Sequence, residues 1–116
     1  MANLKKMDDE TRQALSRFKR RLKARYGTRV KSVFLFGSRA RGDFRPDSDA
    51  DVAVFLRHLT DPIREQMAMC DDAYDIWMET GIRIEPWAFE DASLADPEGY
   101  RAARLVKTIR REGTPA

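Results

Sequence analysis

The chain has 116 residues, 42% hydrophobic and 35% charged, enough for one soluble domain spanning residues 1–116. A single cysteine, Cys70, excludes an internal disulfide and fits a reducing cytoplasm; with one histidine, His58, it cannot build a zinc site of the usual Cys/His kind. No signal peptide is expected, and no apolar run approaches the roughly 20 residues that span a bilayer.

Residues 4–26 place Leu4, Met7, Leu15, Phe18, Leu22 and Tyr26 at helical spacing, and Gly27 ends that helix. It is strongly basic. Half of the Lys and Arg residues lie in the first 31 positions, whereas residues 71–98 are nearly all acidic where charged. Such asymmetry points to nucleic acid, to an oppositely charged partner or sister subunit, or to a solvated helix face. No aromatic interleaves the basic run as base stacking would need, which argues against direct nucleic-acid binding.

KSVFLF (31–36) and DVAVFLR (51–57) read as strands, with a turn and a short helix between them. Asp61-Pro62 opens a long helix that Gly81 closes. Its stripe of Ile63, Met67, Cys70, Tyr74 and Trp77 reads as core, which makes Cys70 a buried, inert thiol. Residues 82–89, IRIEPWAF, form a third strand, placed at an edge or bulge by Pro86. Asp96-Pro97 starts a last helix through Leu105, Val106 and Ile109, stopped by Gly113 and Pro115. The order helix, strand, strand, helix, strand, helix predicts a small α/β domain, a mixed sheet with helices packed on one side.

The chemistry concentrates in residues 37–51, GSRARGDFRPDSDAD. Asp49 and Asp51 are two apart at a strand start, so their side chains share a face, opposite Val52 and Val54. Like charges this close call for a cation, and an oxygen pair of this kind suits Mg²⁺ completed by water and substrate phosphate. A calcium loop is excluded, because Val52 stands where glycine is needed and His58 where glutamate is needed. Gly37 permits close backbone approach to a phosphate. Ser38 offers a hydroxyl and an N–H at the start of a helical turn, and Arg39 and Arg41 add positive charge. The run from Gly37 is not a P-loop, since Asp43 replaces the required lysine.

The string GSRARGDFRPDSDADVAVFL resembles the signature of the DNA polymerase beta-type nucleotidyltransferases, and more narrowly of the minimal nucleotidyltransferases. The terminal LVKTIRREGTPA is similar to the family's closing helix and Glu-Gly. The resemblance implies that Asp49 and Asp51 hold Mg²⁺ and the triphosphate of ATP, while Gly37 and Ser38 bind its terminal phosphates. An acceptor hydroxyl then attacks the α-phosphorus and pyrophosphate leaves. The family adds a third carboxylate on the next strand, to hold metal or activate the acceptor. Glu85 is the candidate, departing from the usual Asp and followed by Pro86.

Minimal members are typically encoded beside a small helical HEPN-domain toxin. The resemblance therefore implies a cytoplasmic antitoxin that adenylylates a hydroxyl, such as a tyrosine, of that toxin. The chain has no room for an acceptor domain, so the acceptor pocket is expected from a partner or a second copy. The alternatives are a non-catalytic module that neutralises its partner by binding, and transfer to RNA or a small molecule.

Overall fold

The computed structural model describes residues 7–116, so the predicted role of Leu4 lies outside the described residues. Helix α1 is Asp9–Tyr26, capped by the Asp8 carboxylate, which accepts from Thr11 N at 3.1 Å. It buries Ala14, Leu15, Phe18, Leu22 and Tyr26, and Gly27 closes it at φ +59°. A 3₁₀ turn leads to strand β1 (Val30–Phe36), a four-residue helix α2 (Ser38–Arg41) and strand β2 (Ala50–Leu56). Helix α3, Pro62–Thr80, begins at Asp61, whose carboxylate accepts from Arg64 N at 3.1 Å, and ends at Gly81 with φ +80°. Strand β3 is Ile84–Glu90.

The last predicted helix is shorter than expected. A four-residue helix α4 covers Ala92–Ala95, residues 96–102 turn, and helix α5 occupies only Ala103–Glu112. Positive φ at Gly99 (+86°) and Ala102 (+61°) interrupts what Asp96-Pro97 would have begun. Beyond Gly113, Thr114–Pro115 form a short strand β4 on β1. Two residues give no periodicity, so nothing in the sequence marked this strand.

The mixed sheet runs β3-β2-β1-β4, with β2 and β3 parallel and the other neighbours antiparallel. Strand β3 is an edge strand, as Pro86 required. Helices α1 and α3 pack over one face, against Val33, Leu35, Val52, Val54 and Leu56. In addition to that predicted layer, α5 covers part of the opposite face, where Val106 and Ile109 meet Ala53, Phe55 and Phe89. Central strand β2 is therefore buried on both faces, which explains its unbroken apolar run. Among the described residues no helix is long and apolar enough to cross a membrane.

Two sequence readings change here. The stripe Ile63, Met67, Cys70, Tyr74, Trp77 is not core: Ile63, Met67, Tyr74 and Trp77 are counted among the exposed large apolar residues, and Cys70 is exposed. Helix α3 instead buries Met69, Ala73 and Ile76. It is apolar on two faces, and the small Ala73 face is the one laid toward the sheet. Part of the basic–acidic asymmetry is settled inside the chain. Arg17 pairs with Glu79 (3.1 Å), Arg21 with Asp75 (2.8 Å) and Glu79 (3.0 Å), and Arg25 with buried Asp72 (2.9 Å), a ladder fastening α1 to α3.

Candidate active site

Antiparallel β1 ends where β2 begins, and parallel β3 begins beside it. Three chain segments therefore meet at one end of the sheet. Phe36 is opposite Asp51, and Asp51 is opposite Glu85. Neighbouring strands lie about 4.8 Å apart, so the Gly37-Ser38 turn, Asp51 and Glu85 form a row across that end.

Gly37 has φ +78° and ψ −158°, a conformation that essentially only glycine adopts. A Cβ there would lie 3.3 Å from Asp51 Cγ and collide with Asp51 Oδ2. The glycine thus brings the turn against a carboxylate as well as leaving room for a phosphate. Ser38 opens α2, whose Ala40 and Arg41 N–H groups donate to Gly37 O at 3.1 Å each. Helix starts direct their first N–H groups outward, toward an anion.

Asp51 and Glu85 stand opposite each other on neighbouring strands, where a proton shared between the two carboxyls is favoured. Burial first, then that shared proton and the charges of Glu85 and Asp49, raise the Asp51 pKa from 3.8 to about 6. Trp87, two residues past Glu85 and therefore on the same face, partly opposes this shift through its indole N–H. That Nε1 is buried and has no hydrogen bond of normal geometry; the stabilisation is that of a dipole near the carboxylate. Trp87 was missed in the sequence, where the period-2 spacing from Glu85 was its only signal.

Asp49 precedes β2, held where Ala50 N donates to Arg83 O at 2.8 Å. Among the described residues no three His, Cys, Asp or Glu side chains already form a metal-holding group. The arrangement is a contacting pair, Asp51 and Glu85, with the Asp49 charge nearby. Hard oxygen donors that repel one another are the donor set that Mg²⁺ relieves, so the residues fit this ion.

The two arginines separate. Arg39 is 4% exposed, and its guanidinium donates to Ser48 O (2.9 Å), Thr11 Oγ1 (2.9 Å) and Pro46 O (3.1 Å) while stacking over Phe44. This corrects its reading as a phosphate ligand: it pins the loop carrying Asp47 to Asp49 onto α1. Arg39→Met is expected to leave the Ser48 and Pro46 carbonyls without this donor, while Thr11 Oγ1 keeps its bond to Asp8, and to cost about 3 kcal/mol of stability by urea unfolding. Arg41 is exposed beside Asp43, at 3.4 Å.

A cleft of about 450 Å³ opens on the β3 side, lined by Asp49 and Glu85 at one wall and Cys70, Tyr74 and Trp77 of α3 at the other. Arg83 stacks over Trp77 at 4.6 Å. A larger cavity of about 770 Å³ lies between α1 and the C-terminal residues, remote from the acids. Cys70 is exposed, yet partial burial and then the charges of Asp71 and Glu85 raise its pKa. Desolvation first and the neighbouring carboxylates second disfavour its thiolate, which makes it a poor nucleophile although it is exposed.

Residues 15–84, more than half of the chain, match the family model described as nucleotidyltransferase domain; the match ends one residue before Glu85. A Methanocaldococcus jannaschii protein provisionally assigned as a protein adenylyltransferase is 43% identical over 42 residues, 36% of this chain and 42% of that protein. The match thus spans less than half of that relative's length. Among solved structures, a chain of a toxin–antitoxin crystal structure with AMP-PNP superposes with TM-score 0.60 at 17% identity, covering 93% of this chain and 72% of that one. A provisionally assigned nucleotidyltransferase from Sulfolobus solfataricus gives 0.51 at 15% identity, covering 97% and 89%. These structural likenesses establish a shared fold.

Proposed function

The chain belongs to the nucleotidyltransferase domain family, and from that premise we propose that it transfers AMP from ATP, with Mg²⁺, to a hydroxyl of a protein partner. The carrying observation is the row of phosphate turn, Asp51 and Glu85 across one end of the sheet. Asp49, Asp51 and Glu85 would hold the cation. When bound, Mg²⁺ neutralises the triphosphate and the charge that develops on the attacking and leaving oxygens.

The rest is positioning by the chain's own groups. The Gly37-Ser38 turn holds the outer phosphates on the β1 side of Asp51. Asp49 and Asp51, anchored at the start of a strand buried on both faces, cannot drift as the charge moves. Glu85 lies on the β3 side, at an exposed edge, where an incoming hydroxyl meets it and gives up its proton. The new bond joins that oxygen to the α-phosphorus, and the α–β bridging oxygen leaves with pyrophosphate. Arg39 acts at a distance, by fixing the loop that presents Asp49.

A protein acceptor is supported by the relative assigned as a protein adenylyltransferase and by the toxin–antitoxin neighbour. It accords with a HEPN-type toxin as the partner that this chain neutralises. The test incubates the purified protein with ATP labelled at the α-phosphate, Mg²⁺ and a small helical protein of the HEPN type, the partner that the family resemblance implies. Label on the helical protein is expected. Label that persists in Asp49→Asn/Asp51→Asn sinks the assignment of the site. Neutralisation of the toxin by that same variant would instead mean that binding suffices.

A further inference from the structure

The outer line of α3 is apolar and bare. Ile63, Met67, Cys70, Tyr74 and Trp77 follow one another at intervals of four, three, four and three residues. Ile63 is 63%, Met67 67% and Tyr74 57% exposed, and Met78, 58% exposed, widens the C-terminal end. Such a line, about 21 Å long at the rise of an α-helix, is unusual on a monomer that is otherwise highly charged. Alternating four-three spacing keeps these side chains on one line of the helix, the kind of surface into whose gaps a partner helix can set its own side chains. The ladder to α1 lies on a different flank of α3 and leaves this seam uncovered.

The seam also runs into the chemistry. Cys70, Tyr74 and Trp77 belong both to it and to the cleft that opens on Asp49 and Glu85. In-line displacement requires the nucleophile to enter opposite the leaving group. With pyrophosphate held at Gly37-Ser38 on the β1 side, entry is from the β3 side, and α3 is the helix packed beside β3 there. We propose that the exposed seam of α3 is the docking surface for an α-helix of the acceptor protein, which thereby delivers its hydroxyl to Glu85.

This rests on the reading above that the acceptor is a protein. Three acids, Asp71, Glu85 and Asp49, and one base, Arg83, border the seam on its cleft side, so its net charge is negative and the docking helix carries basic residues there.

The probe is a small helical toxin of the HEPN type, the acceptor class proposed above, used with the whole chain. Ile63→Glu/Met67→Glu changes only exposed positions and is expected to keep the wild-type melting temperature and its shift with MgATP. It is expected to lose co-elution with the probe on size exclusion, and to raise KM for the probe about tenfold or more in label transfer. At saturating probe its kcat should match wild type, since neither residue lines the cleft. Unchanged KM and unchanged co-elution overturn the proposal. So does a wild-type dimer that the variant dissociates, which assigns the seam to a second copy, and so does a wild-type chain that never binds the probe. Binding without label transfer defeats the reading of protein adenylylation instead, and the seam is then supported or overturned by co-elution alone. Should the double variant fail to fold, Met67→Lys carries the same expectations.

Discussion

Replacing Asp51 by asparagine is expected to lower nucleotidyl transfer about 10³-fold or more, the scale for loss of a preorganised electrostatic group. The same change is expected to stabilise the metal-free protein above pH 6. The folded-state pKa of Asp51 is raised, from 3.8 to about 6. Between those values the native state binds more protons than the unfolded chain, so wild-type stability falls as pH rises through that window. Below pH 4 the carboxyl is protonated in both states and the effect vanishes. Asparagine removes the repulsion with Glu85 and keeps a hydrogen-bond donor toward it. Thermal unfolding in EDTA should therefore show the variant above wild type at pH 8 and level with it at pH 4. Adding Mg²⁺ should raise the wild-type melting temperature at pH 8, raise it far less at pH 5, and scarcely move the variant. A wild-type protein indifferent to Mg²⁺ at pH 8 would remove the metal from the mechanism.

The second large effect is expected from Gly37→Ala. Two costs combine. The backbone conformation is confined to glycine and opposes a side chain by about 1–3 kcal/mol, and the added Cβ would run into the Asp51 carboxylate. Transfer should fall about 100-fold or more, because relief of the collision displaces either the phosphate turn or the metal ligand. A double-mutant cycle separates the two costs. In an Asp51→Ala background only the conformational strain remains, so Gly37→Ala should destabilise that protein clearly less than wild type, by chemical denaturation. Equal losses in the two backgrounds would show that the turn and the carboxylate are independent.

Much of the site was legible because its signals are local. Gly37, Ser38, Asp49 and Asp51 lie within fifteen residues, and the apolar run that follows marks where β2 begins, with Asp51 in the strand and Asp49 just before it. The same holds for the caps: Asp61-Pro62 and Gly81 bound α3 as read, since capping depends on residues three or four positions away. Other features were not legible. Arg39 and Arg41 look alike in sequence, yet one is buried among loop carbonyls and the other is exposed. Helix α3 carries two apolar lines, and its composition favours the wrong one, because bulk says nothing about which face meets the sheet.

The sequence by itself determined the elements from α1 to β3, the Gly37-Ser38 turn and the acidic pair, because each is written in short-range spacing, propensity and backbone freedom; β4 and the break before α5 were not among them. Register and packing decided the rest. Parallel pairing of β3 with β2 set Glu85 beside Asp51 and brought Trp87 to the same face. The approach of β1 to β2 made Gly37 indispensable to a carboxylate fourteen residues away. The seating of α3 turned a predicted core stripe into an open seam beside the acids. These relations join residues far apart in the chain. They arise from burying both faces of β2 at once, a condition that no single segment expresses on its own.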